Sequence, residues 1–367
     1  MKRAGFQDQG LSMDPRLAKA LVYGCLLQCA GPVLSTAAAL SHGRPLFSPV
    51  PPELRADADA GRAAVSPAAH ASKSDHLALA EAYAAWDAAR DGRGGGSGGR
   101  GSGGGGRAAA RDLASRCFLS DGAMEATRSA RADLARTMVE VGLLPPGYPS
   151  AASTPGQASR CVALSKEVAE AREQGGHAHP ASADPVALAD AASHSARVVK
   201  AALCAGFAPG GLLRVEHPVD KYAATLGGAV RVDAPAKSLH FRDERGSRVF
   251  IHPASICFSA GRFDSGWLVA SGIVHVAGKA STRVVSAAPA YGVLLFGGRL
   301  DVRHGDGELV MDGWARFKAP ARTGVLIREL RGAVDGLLSA KLADPGVSLV
   351  GAPAVSAMHR LLETDGF

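Results

Sequence analysis

Residues 13–49 read MDPRLAKALVYGCLLQCAGPVLSTAAALSHGRPLFSP, and the reading of this stretch decides the fold. From Ala20 to Leu40 it is nearly free of charge, as a membrane span or a secretory segment would be. Gln28 and the Gly31-Pro32 pair interrupt it, and proline breaks a helix by removing a donor and crowding the preceding turn. The stretch therefore predicts two short buried helices rather than a span. Asp14-Pro15 supplies an N-cap and a first helical residue. Leu17, Leu21, Val22, Leu26 and Leu27 then cover more than one face, the mark of a helix buried all round. Cys25 and Cys29 are spaced for one helix face and read as small buried thiols. With no cleavage site or transit signature, the abrupt opening reads as a start inside a domain, and no membrane association is expected.

The whole chain has 367 residues, enough for two domains with cores of their own. It is 47% hydrophobic but only 5% aromatic, and much of the apolar share is alanine. The formal charge of +7 favours an acidic partner such as nucleic acid, although an alanine-rich, GC-biased composition produces the same tilt. Cys25, Cys29, Cys117, Cys161, Cys204 and Cys257 are dispersed, with no closely spaced pair or histidine partner. Neither a zinc site nor a disulfide framework is indicated, and a reducing compartment fits.

Residues 91–107 (DGRGGGSGGRGSGGGGR) read as a linker or loop, either inert or, through Arg93, Arg100 and Arg107, an RNA-contacting segment. Residues 145–192 form a second Pro/Ala/Ser-rich stretch and 216–236 a third. Between them helices are expected over Ser74–Trp86, over Asp121–Val141 with Met124, Ala130, Leu134 and Met138 near helical period, and over Ser195–Ala205, ended by Gly206. After Ser238 the period becomes two. Leu239 and Phe241, Val249–His252, Trp267–Val276, Tyr291–Phe296, Leu300 with Val302, Leu309–Met311 and Gly313–Phe317 read as short strands, which fit a small barrel. From Gly324, Leu326, Ile327, Leu330, Val334, Leu337, Leu338 and Leu342 form an amphipathic helix that must pack on something.

In this order, several blocks resemble the C-terminal half of DEAH/RHA-type (DExH-box) RNA helicases. Met13–Pro49 resembles the start of the helicase-associated domain, Lys73-Ser74-Asp75-His76-Leu77 the S-D-H-L helix, and Arg116-Cys117-Phe118-Leu119-Ser120 a shortened F-L-S stretch. Ala202–Phe207 resembles the helix before the OB-fold, and Val249–Ser255 (VFIHPAS) carries the H-P-x-S hallmark. Leu294–Gly298 and Asp312–Pro320 (DGWARFKAP) are most similar to the subgroup with G-quadruplex-resolving and ribosome-associated members. The low-complexity stretches fall between blocks, as tolerated insertions should. Ser271–Ser286 departs from the family pattern, with Ala277-Gly278 at the usual polar pair.

The resemblance implies an α+β protein. A ratchet-like helical domain over 10–210, with disordered insertions about 91–110 and 145–192, precedes an OB-fold barrel over 211–320 and a C-terminal helix and tail over 321–367. It implies an RNA-binding module that guides single-stranded RNA for unwinding by a motor. No G-x-x-x-x-G-K-(S/T) loop or D-E-x-H strand end occurs here: Gly278-Lys279 is followed by Ala280 and lies badly from Gly272, and Asp243-Glu244 is followed by Arg245-Gly246. No ATPase or helicase activity is expected from this chain alone, and ATP and Mg would belong to the motor domains. Partners implied are RNA, single-stranded or structured, a RecA-like helicase core and an activator protein on the OB-fold. The second reading is a motorless platform that docks such a core or its activator. A cytoplasmic location is expected, with the nucleus as alternative.

Candidate RNA contacts are Lys73, Lys279, Arg283, Arg316, Lys318 and Arg322, which can neutralise phosphates, together with His252 and Ser255. His252 and Ser255 either touch RNA or a motor lobe, or hold a strand end by local hydrogen bonds. Asp75 and His76 form a polar pair at the RNA path or belong to the cap of the Ser74 helix. Trp267, Trp314 and Phe317 stack on bases or fill the core. A Ser255/His252/Asp243 hydrolase lacks a nucleophile elbow and an oxyanion signature.

Overall fold

The computed structural model describes residues 13–92, 105–150, 184–218, 221–225, 228–232, 235–344, 346–347 and 352–364. Arg93 and Arg100 with most of the Gly-rich tract, the middle of 145–192 (Cys161 with it), and parts of 216–236 lie outside them.

Helix α1 (Pro15–Leu26) starts where the Arg16 amide donates to Asp14 Oδ1 at 2.9 Å. The chain turns through Gln28, at φ 54°, into α2 (Ala30–Ser41). Pro32 falls in the first turn of α2, where an amide has no intrahelical partner to lose. The expected pair of buried helices is there, but Cys29 is the N-cap residue of α2 and so does not share a helix face with Cys25. Helices α3 (Arg55–Val65) and α4 (Pro67–Ala71) lead to α5 (Asp75–Arg90), capped by Ser74 Oγ. After α6 (Gly105–Arg116), Ser120 caps α7 (Asp121–Glu140) in the same way.

The short α8 (Pro185–Leu188) precedes α9 (Ala196–Gly211), capped by Ser195. Gly206 does not end this helix, contrary to the sequence reading. A Cβ on Gly206 would collide with the Arg16 carbonyl and Ala20, so the glycine lets α9 press directly on α1. The bend comes later, at Pro209 and Gly210 (φ 78°). The ends of the expected 145–192 insertion are core: the Tyr148 hydroxyl donates to Asp190 Oδ2 at 2.6 Å, and the Gly31 amide donates to Asp190 Oδ1 at 2.6 Å.

The strands are β1 (Leu212–Glu216), β2 (Lys221–Thr225), β3 (Gly228–Val232), β4 (His240–Arg242), β5 (Arg248–Ile251), β6 (Trp267–Ala270), β7 (Val274–Val276), β8 (Lys279–Thr282) and β9 (Val285–Ala287). Seven of them form one sheet in the order β7-β8-β5-β4-β1-β6-β9, while β2 and β3 pair as a separate hairpin. Among the described strand pairs only β5–β8 is parallel. Among the described residues the end strands β7 and β9 do not pair, so the sheet does not close on itself.

Residues 291–296 are not a strand. They lie in helix α10 (Ala290–Phe296), between Pro289 and Gly297, with Gly292–Phe296 all buried. A short, uniformly apolar run has no period by which helix and strand can be told apart. The remaining strands, β10 (Leu300–Arg303), β11 (Glu308–Met311) and β12 (Ala315–Lys318), form their own three-stranded antiparallel sheet. Helix α11 (Ala321–Ala343) packs there, Gly324 meeting Leu309 and Val302 where any side chain would clash, and α12 (Pro353–Thr364) closes the molecule. The class is α+β, a helical domain followed by a β region and C-terminal helix, as expected. No described helix is long and apolar enough to cross a membrane.

Candidate nucleic-acid interface

The S-D-H-L and H-P-x-S blocks meet inside the molecule. Asp75, at the first position of α5, accepts from Ser255 Oγ at 2.6 Å and the Val285 amide at 2.9 Å through Oδ2, and from the Ile256 amide at 2.9 Å through Oδ1. Next to it Ser286 Oγ lies 2.7 Å from Ser74 Oγ and 2.6 Å from His76 Nδ1. The Ala287 amide donates to the Lys73 carbonyl at 2.9 Å, and Lys73 Nζ donates to the Arg262 carbonyl at 2.6 Å. These bonds fasten the start of α5 to β9 and to the turn after β5. Burial pushes the Asp75 carboxyl up to about 6, against the lowering effect of its three donors. Burial likewise pulls the His76 imidazole down to about 3, beside the Phe207 ring at 5.2 Å.

Two expected contacts, Lys73 and Ser255, therefore belong to an interior joint: Ser255 is buried and its hydroxyl is bonded to Asp75. Ser74 caps α5 as read, whereas Asp75 and His76 both reach into the sheet rather than to each other. The His252 ring accepts the Ala254 amide at 3.1 Å, the local turn bond that one reading anticipated, and makes no hydrolase triad with Ser255. The two motor-like fragments are hairpin turns. Asp243 Oδ1 accepts the Arg245 and Ser247 amides at 3.0 and 2.8 Å between β4 and β5, and Ala277 (φ 48°) with Gly278 (φ 76°) joins β7 to β8.

The outward face of β1, β4, β5 and β8 is exposed and basic. Residues directly opposite in neighbouring strands share a face. The register sets Arg214 of β1 against Arg242 of β4 and Arg242 against Arg248 of β5. One step before the Val249–Ala280 pair, Arg248 stands beside Lys279 of β8. Four cations thus cross the sheet in one row, about 14 Å long at the usual strand spacing of about 4.8 Å. Arg242 is forked onto Glu216, Nε to both carboxylate oxygens at 2.9 Å. Arg214, Arg248 and Lys279 have no carboxylate in ion-pair range among the described residues, and each is exposed.

A second row, two residues along each strand, holds exposed Phe250 with Ser281 beside it and, by continuation of the β4–β5 register, His240. Beyond the strand ends come His252 and Arg283, joined by the bond from the His252 amide to the Thr282 carbonyl at 2.8 Å. Burial, then the charges of Arg283 and Arg55, lower the His252 pKa.

Of the expected contacts, then, His252, Lys279 and Arg283 come together on this face. Arg316, Lys318 and Arg322 lie apart, on β12 and α11, where Arg316 Nη1 is 3.4 Å from Glu308. Trp267 is core, packed on Trp314 and Phe317 with ring centroids at 5.4 and 5.1 Å. Sequence reasoning missed Arg214, Arg242, Arg248 and Phe250. The signal was there for the strand residues, since LLRVE, HFR and RVFI alternate buried with exposed positions, but nothing in one strand states which residue stands beside it in the next.

Residues 14–79 match the family model described as helicase associated domain (HA2), ratchet-like, and residues 307–364 the model described as C-terminal domain in RNA helicases. The chain is 27% identical to the putative DEAH-box ATP-dependent helicase UM11114 of Mycosarcoma maydis, over 97% of this chain and 21% of that protein. It is 27% identical to the putative ATP-dependent RNA helicase DHX57 of Homo sapiens, over 98% and 24%. With the DExH-box ATP-dependent RNA helicase DExH1 of Arabidopsis thaliana the identity is 25%, over 97% and 28%. The chain thus spans 21 to 28% of the length of these curated relatives.

Proposed function

We propose that this chain, built of the helicase-associated and C-terminal domains of DEAH-box RNA helicases, holds single-stranded RNA for a motor formed by RecA-like helicase domains. The observation that carries the reading is the cross-strand row Arg214–Arg242–Arg248–Lys279, with Arg283 and His252 beyond it. A phosphate chain lying on Arg214, Arg248 and Lys279, the cations of this row other than the Glu216-paired Arg242, releases counterions and gains affinity without reading sequence. The groove beside the β4–β5 turn, next to this row and about 680 Å³, is lined by Asp243, Glu244 and Asp312 as well as Arg16 and Arg245, and suits a polyanion less.

Fluorescence anisotropy of a single-stranded RNA across a salt series tests this. The triple variant Arg214→Gln, Arg248→Gln, Lys279→Gln should bind more weakly at low salt, with the slope of log K against log salt shallower by about 2. An unchanged slope would overturn the assignment. One observation favours docking of a protein as well: the edge strand β7 exposes Val274 and Val276 at 60% and 64%. A partner strand from a helicase core or its activator can pair there. Val276→Asn, which adds no charge beside Lys279, should then weaken capture of a helicase core while leaving the salt slope of RNA binding in place.

A further inference from the structure

The cation row explains attraction to phosphate but is indifferent to whether the strand is paired. The row beside it is not. Phe250 is exposed to 42%, the one exposed aromatic ring in its row, with only the aliphatic Val274 and Val276 of the edge strand β7 exposed on the same face, and the opposite residues of β5, Val249 and Ile251, are buried. A phenylalanine that contributes nothing to the core is in the wrong place for stability. The Arg248 guanidinium lies 4.9 Å from its ring centroid, so ring and cation form one stacked unit. His240 stands opposite Phe250 on one side and Ser281 on the other, which places a planar ring and a small hydroxyl next to it. On one flank run Arg214, Arg242, Arg248 and Lys279; on the other, His252 and Arg283.

We infer that the Phe250–Arg248 unit, with His240 beside it, is a stacking platform for unpaired nucleobases, so that this face selects single-stranded RNA over duplex. The inference rests on the RNA-holding role proposed above. Successive rows on one strand face are about 7 Å apart. A strand with its phosphates on the cation row therefore swings its bases outward over Phe250, where any base offers a π-face. In a duplex those faces are covered by neighbouring base pairs and the platform has nothing to hold. An acidic protein segment would use the cations but not the ring.

Three probes separate the contributions: a single-stranded oligo(A) RNA, the same strand in a duplex with oligo(U), and inorganic polyphosphate. The full chain should bind the single strand more tightly than the duplex. Phe250→Ala should weaken the single strand about tenfold, within the usual range for one base stacked on an aromatic side chain, and leave polyphosphate and duplex unchanged. Phe250→Trp should retain single-strand affinity, and its added fluorescence should be quenched by oligo(A) but not by polyphosphate. If Phe250→Ala weakens all three probes equally, or none, or if the added tryptophan is not quenched by oligo(A), the platform is wrong. The cation-row triple variant keeps the two ideas apart, because it must lose polyphosphate and RNA together if the face holds RNA at all. Loss there with no effect of Phe250→Ala would overturn the platform alone.

Discussion

The inner joint between α5 and the sheet and the outward face of β1, β4, β5 and β8 carry polar residues of opposite fate. On the inner side Asp75 bonds to Ser255, and Ser286 to Ser74 and His76, across the boundary between helices and sheet, with His76 Nε2 alone of these side-chain groups left without a partner. On the outer side Arg214, Arg248 and Lys279 have no acidic partner among the described residues. Burial makes the difference. A polar group removed from water must find partners in the protein or destabilise it, whereas one at the surface is satisfied by solvent until a ligand displaces it. The blocks that make the family resemblance easiest to see thus encode the joint, and the face suited to RNA is built from residues that no motif marks.

The largest effect should come from breaking the joint. Asp75→Ala leaves Ser255 Oγ and the Ile256 and Val285 amides without their acceptor. At ~1–3 kcal/mol per unsatisfied buried group, partly offset by relaxation, about 3–5 kcal/mol of stability should be lost, read as a lower urea midpoint. A variant as stable as the parent would mean that the joint holds nothing together. Gly206→Val comes next, because the added side chain must force α9 away from Arg16 and Ala20; a cost of about 2–3 kcal/mol is expected in the same assay.

The pH dependence of the joint is smaller and has a definite sign. The neutral His76 is favoured by the fold, so its contribution is present above the ordinary histidine value near 6.5 and is lost as pH falls toward about 3. Asp75 works the other way: its folded value is raised to about 6 from 3.8, so its contribution grows as pH falls through that window. Between pH 6 and 3.8 the two oppose each other, and stability should change little. Asp75→Asn removes one term and should expose a fall of about 1.4 kcal/mol per pH unit, followed by chemical denaturation at stepped pH. His76→Asn should reverse the slope. Parallel profiles for both variants would contradict the assignment.

The smallest stability effect is expected on the outer face. Arg214→Gln, Arg248→Gln and Lys279→Gln together should shift the urea midpoint by less than the equivalent of about 0.5 kcal/mol, since exposed charges far from a partner contribute little. Their consequence should appear in RNA binding alone. A variant that unfolds would show that this face, too, is structural.

Much of the helical half was legible. Asp14, Ser74, Ser120 and Ser195 cap helices next to the apolar runs that needed a start, because capping is a bond between near neighbours in sequence. Gly206 misled for the converse reason. Its lack of a side chain answers to α1, which lies nearly two hundred residues away in the chain, and nothing local distinguishes that from a helix stop. Residues 290–296 misled because a fully buried run has no polar side to reveal its period. In the candidate interface, Lys73, Lys279 and Arg283 were picked out by charge, and His252 and Ser255 by motif, although the fold buries Ser255 and ties the half-buried Lys73 to the Arg262 carbonyl.

The amino-acid sequence by itself determined the order of helical domain, strands and C-terminal helix, the caps, and the alternation that puts Arg214, Arg242, Arg248 and Phe250 on the polar side of their strands. Each follows from interactions within a few residues, where the spacing of side chains is set by the helix or strand itself. Only the tertiary structure decided which strands are neighbours and in what register, that the S-D-H-L and H-P-x-S blocks meet, and that four cations line up beside one exposed ring. Register is a relation between segments, fixed by which faces are buried together, and a one-residue slip would turn every one of those cations inward.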